Sequence, residues 1–289
     1  MNLFKKRSIV LPPKDLHAIE EVRRKLDKIS LEAAKSYEVS NINFRNFSDW
    51  VKAASELRDP DVARNVLYFG FQPLYDALIE EKVDPDLRGK ALEALDKIMD
   101  LSISFLKGYY TGEPDVTKLR EDIAPLRPLM EELKDVPYRT KFRNVDYNGI
   151  YPSGILTFLR ESLDHSLDGK LFLPEYIVGC ACGSSEVVMP FAGLSNSSLG
   201  FIRRSFRRGD DSPKMIREHK ERFQRDIKGK KTICVEDYVC TGGSLKKVME
   251  ATRKYEPAIL IGAAVNGRAE PDYLKADVLK HKFKLYTIK

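Results

Sequence analysis

The chain of 289 residues is long enough for one large domain or two ordinary ones, and 43% hydrophobic with 32% charged residues is a globular composition. A formal charge of +6 suits anionic ligands but is too mild to imply nucleic acid, and no apolar run approaches membrane-spanning length. The first residues, MNLFKKRSIVLPPK, lack the apolar centre of a secretory signal, so a cytoplasmic location is expected.

The first half reads as helical. Leu16, Ile19, Val22, Leu26, Ile29 and Ala33 keep helical spacing after Pro12-Pro13, with Asp15 as the expected cap. A second helix is predicted over Phe47 to Leu57. Pro60-Asp61 and Pro85-Asp86 mark two further helix starts. Leu92, Leu95, Ile98, Met99 and Phe105 form another apolar stripe, and a weaker helical segment after Pro114 is interrupted by Pro125 and Pro128.

From about Tyr138 the pattern alternates between strands and helices. Ser153 to Leu163 reads as a helix, Tyr176 to Cys180 as a strand, Ser184 to Leu194 as a helix, and Leu199 to Ile202 as a strand. Pro213 to Ile227 reads as a helix. Ile233 to Val235 is a buried strand, and the segment from Leu245 is a helix with Leu245, Val248, Met249 and Thr252 on one face. Ala258 to Val265 is a central strand, and Phe283 to Ile288 is expected as a last edge strand. Such alternation implies a parallel sheet flanked by helices, so the expected fold is an all-α domain over 1–137 and an α/β domain over 138–289.

One turn in the α/β part suits a phosphate, while Val178-Gly-Cys-Ala-Cys-Gly-Ser-Ser185 follows the earliest strand and opens a helix. Thr232-Ile-Cys-Val-Glu-Asp-Tyr-Val-Cys-Thr-Gly-Gly-Ser244 combines a strand, two adjacent acids and a glycine turn that opens a helix. Glu236 and Asp237 can accept hydrogen bonds from sugar hydroxyls beside that turn. Together they offer a ribose 5-phosphate site. The four cysteines, Cys180, Cys182, Cys234 and Cys240, have no zinc-knuckle spacing and are expected reduced. The four histidines are scattered, which suits surface or packing positions better than catalysis.

The string from Thr232 to Ser244 resembles the phosphoribosyl-diphosphate (PRPP) signature of the type I phosphoribosyltransferases: hydrophobic strand, two acids, spacer, Thr-Gly-Gly-Thr/Ser. The resemblance implies a pentosyltransferase that moves ribose 5-phosphate from Mg2+-PRPP to an acceptor and releases diphosphate. It implies that Glu236 and Asp237 hold the ribose hydroxyls and the metal. It implies that Cys240, Thr241, Gly242, Gly243 and Ser244 bind the 5-phosphate, and that Cys180, Ala181, Cys182, Gly183 and Ser184 bind the diphosphate. Arg203 and Arg204 match the paired basic residues that begin the family's loop over bound PRPP, with Arg207, Arg208, Lys214 and Lys220 as further candidates. Arg268 is similar in place to an arginine that faces the acceptor's carboxylate in orotate-type enzymes.

Two departures separate this chain from familiar acceptor classes. The 6-oxopurine enzymes carry an Asp immediately before the phosphate-loop Thr, where Cys240 stands. The Lys-Asp-His-Gly run of orotate enzymes is replaced around Arg207-Arg208-Gly209. The expected partners are therefore PRPP and a small-molecule acceptor from nucleotide metabolism. Membrane and direct reading of nucleic acid are not expected, and a homo-oligomer is left open. The large helical half supports an alternative: an antiviral-defence or toxin effector built on this domain, with a protein partner on the helices. A PRPP-sensing regulator is a second alternative.

Overall fold

A computed structural model of the chain describes residues 13–29, 44–137, 152–167, 172–181, 183–204, 212–239, 242–267, 274–278 and 284–288. The helical part comprises α1 (Pro13–Asp27), α2 (Phe47–Ser55), α3 (Pro60–Ile79), α4 (Pro85–Thr111), α5 (Val116–Ile123), a 3-10 turn (Ala124–Leu126) and α6 (Arg127–Glu132). Helix α1 starts at Pro13, two residues ahead of the expected Asp15 cap, because proline's fixed φ suits a first turn. Helices α3 and α4 start as their sequences imply. Asp59 caps α3 by accepting from Asp61 N and Val62 N, and Asp84 caps α4 by accepting from Asp86 N.

The α/β part follows with α7 (Pro152–Leu167), β1 (Tyr176–Ala181), α8 (Ser185–Ser195), β2 (Ser198–Arg203), α9 (His219–Ile227), β3 (Lys231–Val239), α10 (Gly243–Arg253), β4 (Ile259–Gly267), β5 (Leu274–Val278) and β6 (Lys284–Ile288). The sheet order is β2-β1-β3-β4-β6-β5, with the first four strands parallel and the last two antiparallel. The terminal strand is not the edge as expected. Strand β6 lies between β4 and β5, and β5, whose sequence carries Lys275 and Asp277, takes the edge position that charged sequence suits. Phe283, expected in the last strand, lies outside the described residues.

Alternation along the strands sends side chains to two different covers. Val178, Cys180, Ile202 and Cys234 meet Leu245, Val248 and Met249 of α10 and Phe223 and Ile227 of α9. On the opposite face, Ile177, Phe201, Ile233 and Val235 join a cluster that continues through Val187 and Phe191 of α8 into Phe71, Leu95 and Trp50 of the helical part. The helices and the sheet are thus layers on a shared core. Helix α3 is the middle of this arrangement, with nearly every residue from Ala63 to Leu78 buried. Phe71 packs on Phe201 at 4.8 Å between ring centroids, and the Tyr75 hydroxyl donates to the Phe201 carbonyl at 2.9 Å.

Candidate active site

The carboxyl ends of β1 and β3 lie side by side, with Gly179 in register with Val235. Each strand runs on through a short turn into a helix, α8 after β1 and α10 after β3. Ligands in open α/β sheets bind at such ends, where helix N-termini point their free N–H groups. At the first turn the Ser184 hydroxyl, fully buried, donates to the Cys180 carbonyl at 2.9 Å. The hydroxyl of Ser185, buried at the start of α8, has no hydrogen-bond partner among the described residues.

The acid pair straddles the two turns. Glu236 accepts a hydrogen bond from the Leu245 N–H in the first turn of α10, while its Oε2 is shut off from solvent without a hydrogen-bond partner among the described residues. Burial, with Asp237 adding negative charge beside it, pushes the Glu236 carboxyl up to about 8. Asp237 points the other way, onto the turn before α8. A Cβ placed on Gly183 would stand 2.2 Å from its Oδ2 and 2.4 Å from its Cγ. Only a glycine lets the carboxylate come this near. The structure therefore brings the acid pair, the turn 183–184 and the start of α10 together.

Other expected residues fall as follows. Gly242 has φ 75°, a left-handed conformation that glycine adopts without strain, and caps α10, which Gly243 and Ser244 begin. Ala181 is buried in the shared core. Cys180 and Cys234 are buried on the α10 face, and burial pushes both thiols up, the former with added charge from Glu236. Neither is a reactive thiolate, so Cys180 can offer a ligand only its backbone. Cys182, Cys240, Thr241, Arg207, Arg208 and Arg268 lie outside the described residues.

The two arginines at the end of β2 are both buried. Arg203 is 1% exposed, and its guanidinium donates to Asp76 on α3 at 2.9 Å and to Glu80, the C-cap residue of α3, at 3.2 Å. Its backbone exchanges two hydrogen bonds of 2.8 Å with Lys214. That bridge explains why the helix expected from Pro213 begins only at His219: Lys214 is held in extended pairing. The segment beyond docks on α4, with Arg88 on Glu218 at 2.6 Å and His219 and Arg222 on Asp96 at 3.4 and 3.5 Å. Arg88 holds the Glu218 carboxyl down at about 2. Lys214 and Lys220 are exposed.

Sequence reasoning missed Asp76 and Glu80, and also Arg64, which pairs with Glu186 at the start of α8 at 3.4 Å, both nearly fully buried. A signal existed. Gln72, Asp76 and the cap residue Glu80 stand four apart in a mostly apolar stretch, which marks a polar seam at the end of the helix.

The acid pair near the end of β3 and the two helix N-termini beside it belong to an α/β unit with a largely parallel sheet. Residues 165–283 match the family model of the phosphoribosyl transferase domain, so the chain carries such a domain behind an added helical region. No curated protein matches the chain. Among the described residues no helix is long and apolar enough to cross a membrane.

Proposed function

We propose that the chain transfers ribose 5-phosphate from Mg2+-PRPP to a small acceptor, with diphosphate as the leaving group. The observation that carries this reading is the contact of Asp237 with Gly183, which joins the acid pair of β3 to the turn after β1. A ligand with hydroxyls at one end and an anion at the other suits a site that joins these two parts.

In this reading, Glu236 and Asp237 accept hydrogen bonds from the 2- and 3-hydroxyls and support the positive charge that develops at C1 as its bond to diphosphate breaks. The electron pair of that bond leaves with diphosphate, and an electron pair of the acceptor forms the new bond at C1. The start of α10 receives the 5-phosphate. The turn before α8, with the unsatisfied Ser185 hydroxyl, receives the diphosphate, and Arg204 adds positive charge at the β2 end.

The donor set fits a magnesium ion held mostly by its substrate. Among the described residues no three metal-binding side chains are gathered, but Glu236 offers a buried unsatisfied oxygen and Asp237 stands beside it. Mg2+ favours one or two carboxylates with phosphate oxygens, and when bound it neutralises charge on the diphosphate. Cys240 in place of the purine enzymes' Asp directs the acceptor search away from 6-oxopurines.

Calorimetry with Mg2+-PRPP tests the reading, comparing the wild type with Glu236→Ala/Asp237→Ala. Binding by the wild type and its loss in the variant are expected, followed by diphosphate release with one member of an acceptor panel. A wild type that binds neither PRPP nor ribose 5-phosphate would refute it.

A further inference from the structure

Arg203 is a joint where several parts of the molecule meet. Its backbone stands in register with Ala181, the last residue of β1 before the small-residue turn. On its other edge it is bridged to Lys214, so the chain between the two leaves and returns at one point. Its guanidinium reaches across to Asp76 in the last turn of α3 and to Glu80, the C-cap four residues on.

An arginine at the start of this excursion has two opposite roles open to it. As a phosphate ligand it must turn its planar fork towards the anion. That movement would take the positive charge away from Asp76, whose side chain is 4% exposed, and from Glu80, at 19%. A buried carboxylate deprived of its counter-charge is strongly disfavoured. Lys82 also pairs with Glu80, so the loss would fall chiefly on Asp76, the more deeply buried of the two acids. Pairing on both edges fixes the Arg203 backbone, so its two carboxylate contacts on the helical side bear directly on the ends of β1 and β2.

We propose that Asp76 and Glu80 are positioning residues: through Arg203 they fix the β1 and β2 ends on which the diphosphate subsite is built, and Arg203 itself binds no phosphate. The proposal rests on the PRPP reading of the site. It assigns the helical region a part in that site, since the acids that hold the joint stand at the end of α3 and on its cap. Of the pair of basic residues inherited by resemblance, Arg203 then faces inward to the helical part.

The sign of one substitution separates this from its opposite. If the acids merely withheld Arg203 from the ligand, Asp76→Asn would release it and tighten binding. If they position it, the same change loosens the joint and weakens binding. The experiment titrates the full chain with Mg2+-PRPP and, separately, with magnesium and inorganic diphosphate, recording melting curves in parallel. Asp76→Asn is expected to raise both dissociation constants by about tenfold, the scale of a small misplacement of binding groups. Glu80→Gln should act in the same direction and less, and it carries the test if Asp76→Asn fails to fold.

Arg203→Gln and Asp76→Asn/Arg203→Gln should bind equally, because Asp76 acts only through Arg203. Tighter binding by Asp76→Asn overturns the proposal in favour of a lock. A lower melting temperature with wild-type dissociation constants overturns it in favour of a purely structural pair. A wild type that binds no PRPP removes the underlying reading and this proposal with it, whereas wild-type binding with either of the other results removes the proposal alone.

Discussion

The carboxylate of Asp237 lies against the α-carbon of Gly183, so near that a methyl group there would stand 2.2 Å from Oδ2. Gly183→Ala must therefore displace the acid. Asp237 can rotate away into the site, so the fold survives while the acid pair is broken. The expected result is a dissociation constant for Mg2+-PRPP at least about tenfold higher with little change in melting temperature. Unchanged binding would mean that Asp237 takes no part in holding the ligand.

Glu236 makes stability depend on pH in a direction opposite to that of an ordinary paired carboxylate. Its group is raised from 4.5 to about 8 on folding. Above pH 4.5 the unfolded chain loses this proton while the folded chain keeps it until pH passes about 8. The folded state binds more protons in that window, so this group's contribution to stability falls as pH rises through it and levels off above. Glu236→Gln removes the dependence and keeps an acceptor for the Leu245 N–H. It should be more stable than wild type by about 1–3 kcal/mol at pH 8–9, with the difference vanishing near pH 4, and it should bind Mg2+-PRPP more weakly. Denaturant titrations at several pH values check the first part, and a variant less stable than wild type at pH 8 would contradict it.

The Arg64–Glu186 pair ties α3 to the first turn of α8 where both side chains are shielded from water. Arg64→Ala strands Glu186 and should cost about 3–5 kcal/mol by urea unfolding. Replacing both with methionine should recover most of that loss, since a shielded pair often does no better than apolar groups of similar size. A loss under about 1 kcal/mol for Arg64→Ala would show that water reaches the pair.

The shared core predicts the fate of the α/β part alone. Residues 138–289 would expose the faces of Phe201 and Phe191 that now meet Phe71, Leu95 and their neighbours. Each large apolar side chain uncovered costs about 1.5–3 kcal/mol, and several together rival the net stability of a domain, about 5–15 kcal/mol. The fragment is expected to aggregate or to bind a hydrophobic dye, whereas the full chain does neither. A monomeric fragment with a sharp thermal transition would show two independent domains.

The features legible in the sequence were those set by neighbours along the chain. Asp-Pro helix starts at Asp59 and Asp84, the acid pair at the end of β3 and the glycine at φ 75° before α10 all follow from local chemistry. The illegible features depended on pairings across long separations. Arg203 reads as a loop residue until Asp76, 127 positions away, is seen beside it. Helix α9 starts late because Lys214 pairs with Arg203, and β6 takes an inner place in the sheet because β5 pairs outside it.

Those long separations also set a timetable for synthesis. The Tyr75 hydroxyl reaches a carbonyl made 126 residues later, and Phe71 waits equally long for the Phe201 ring. At about 5–20 residues per second, α3 leaves the ribosome roughly 6–25 s before its partner strand exists. During that interval a helix that is mostly buried in the finished protein has no sheet to cover it, and the nascent chain needs a chaperone to shield it.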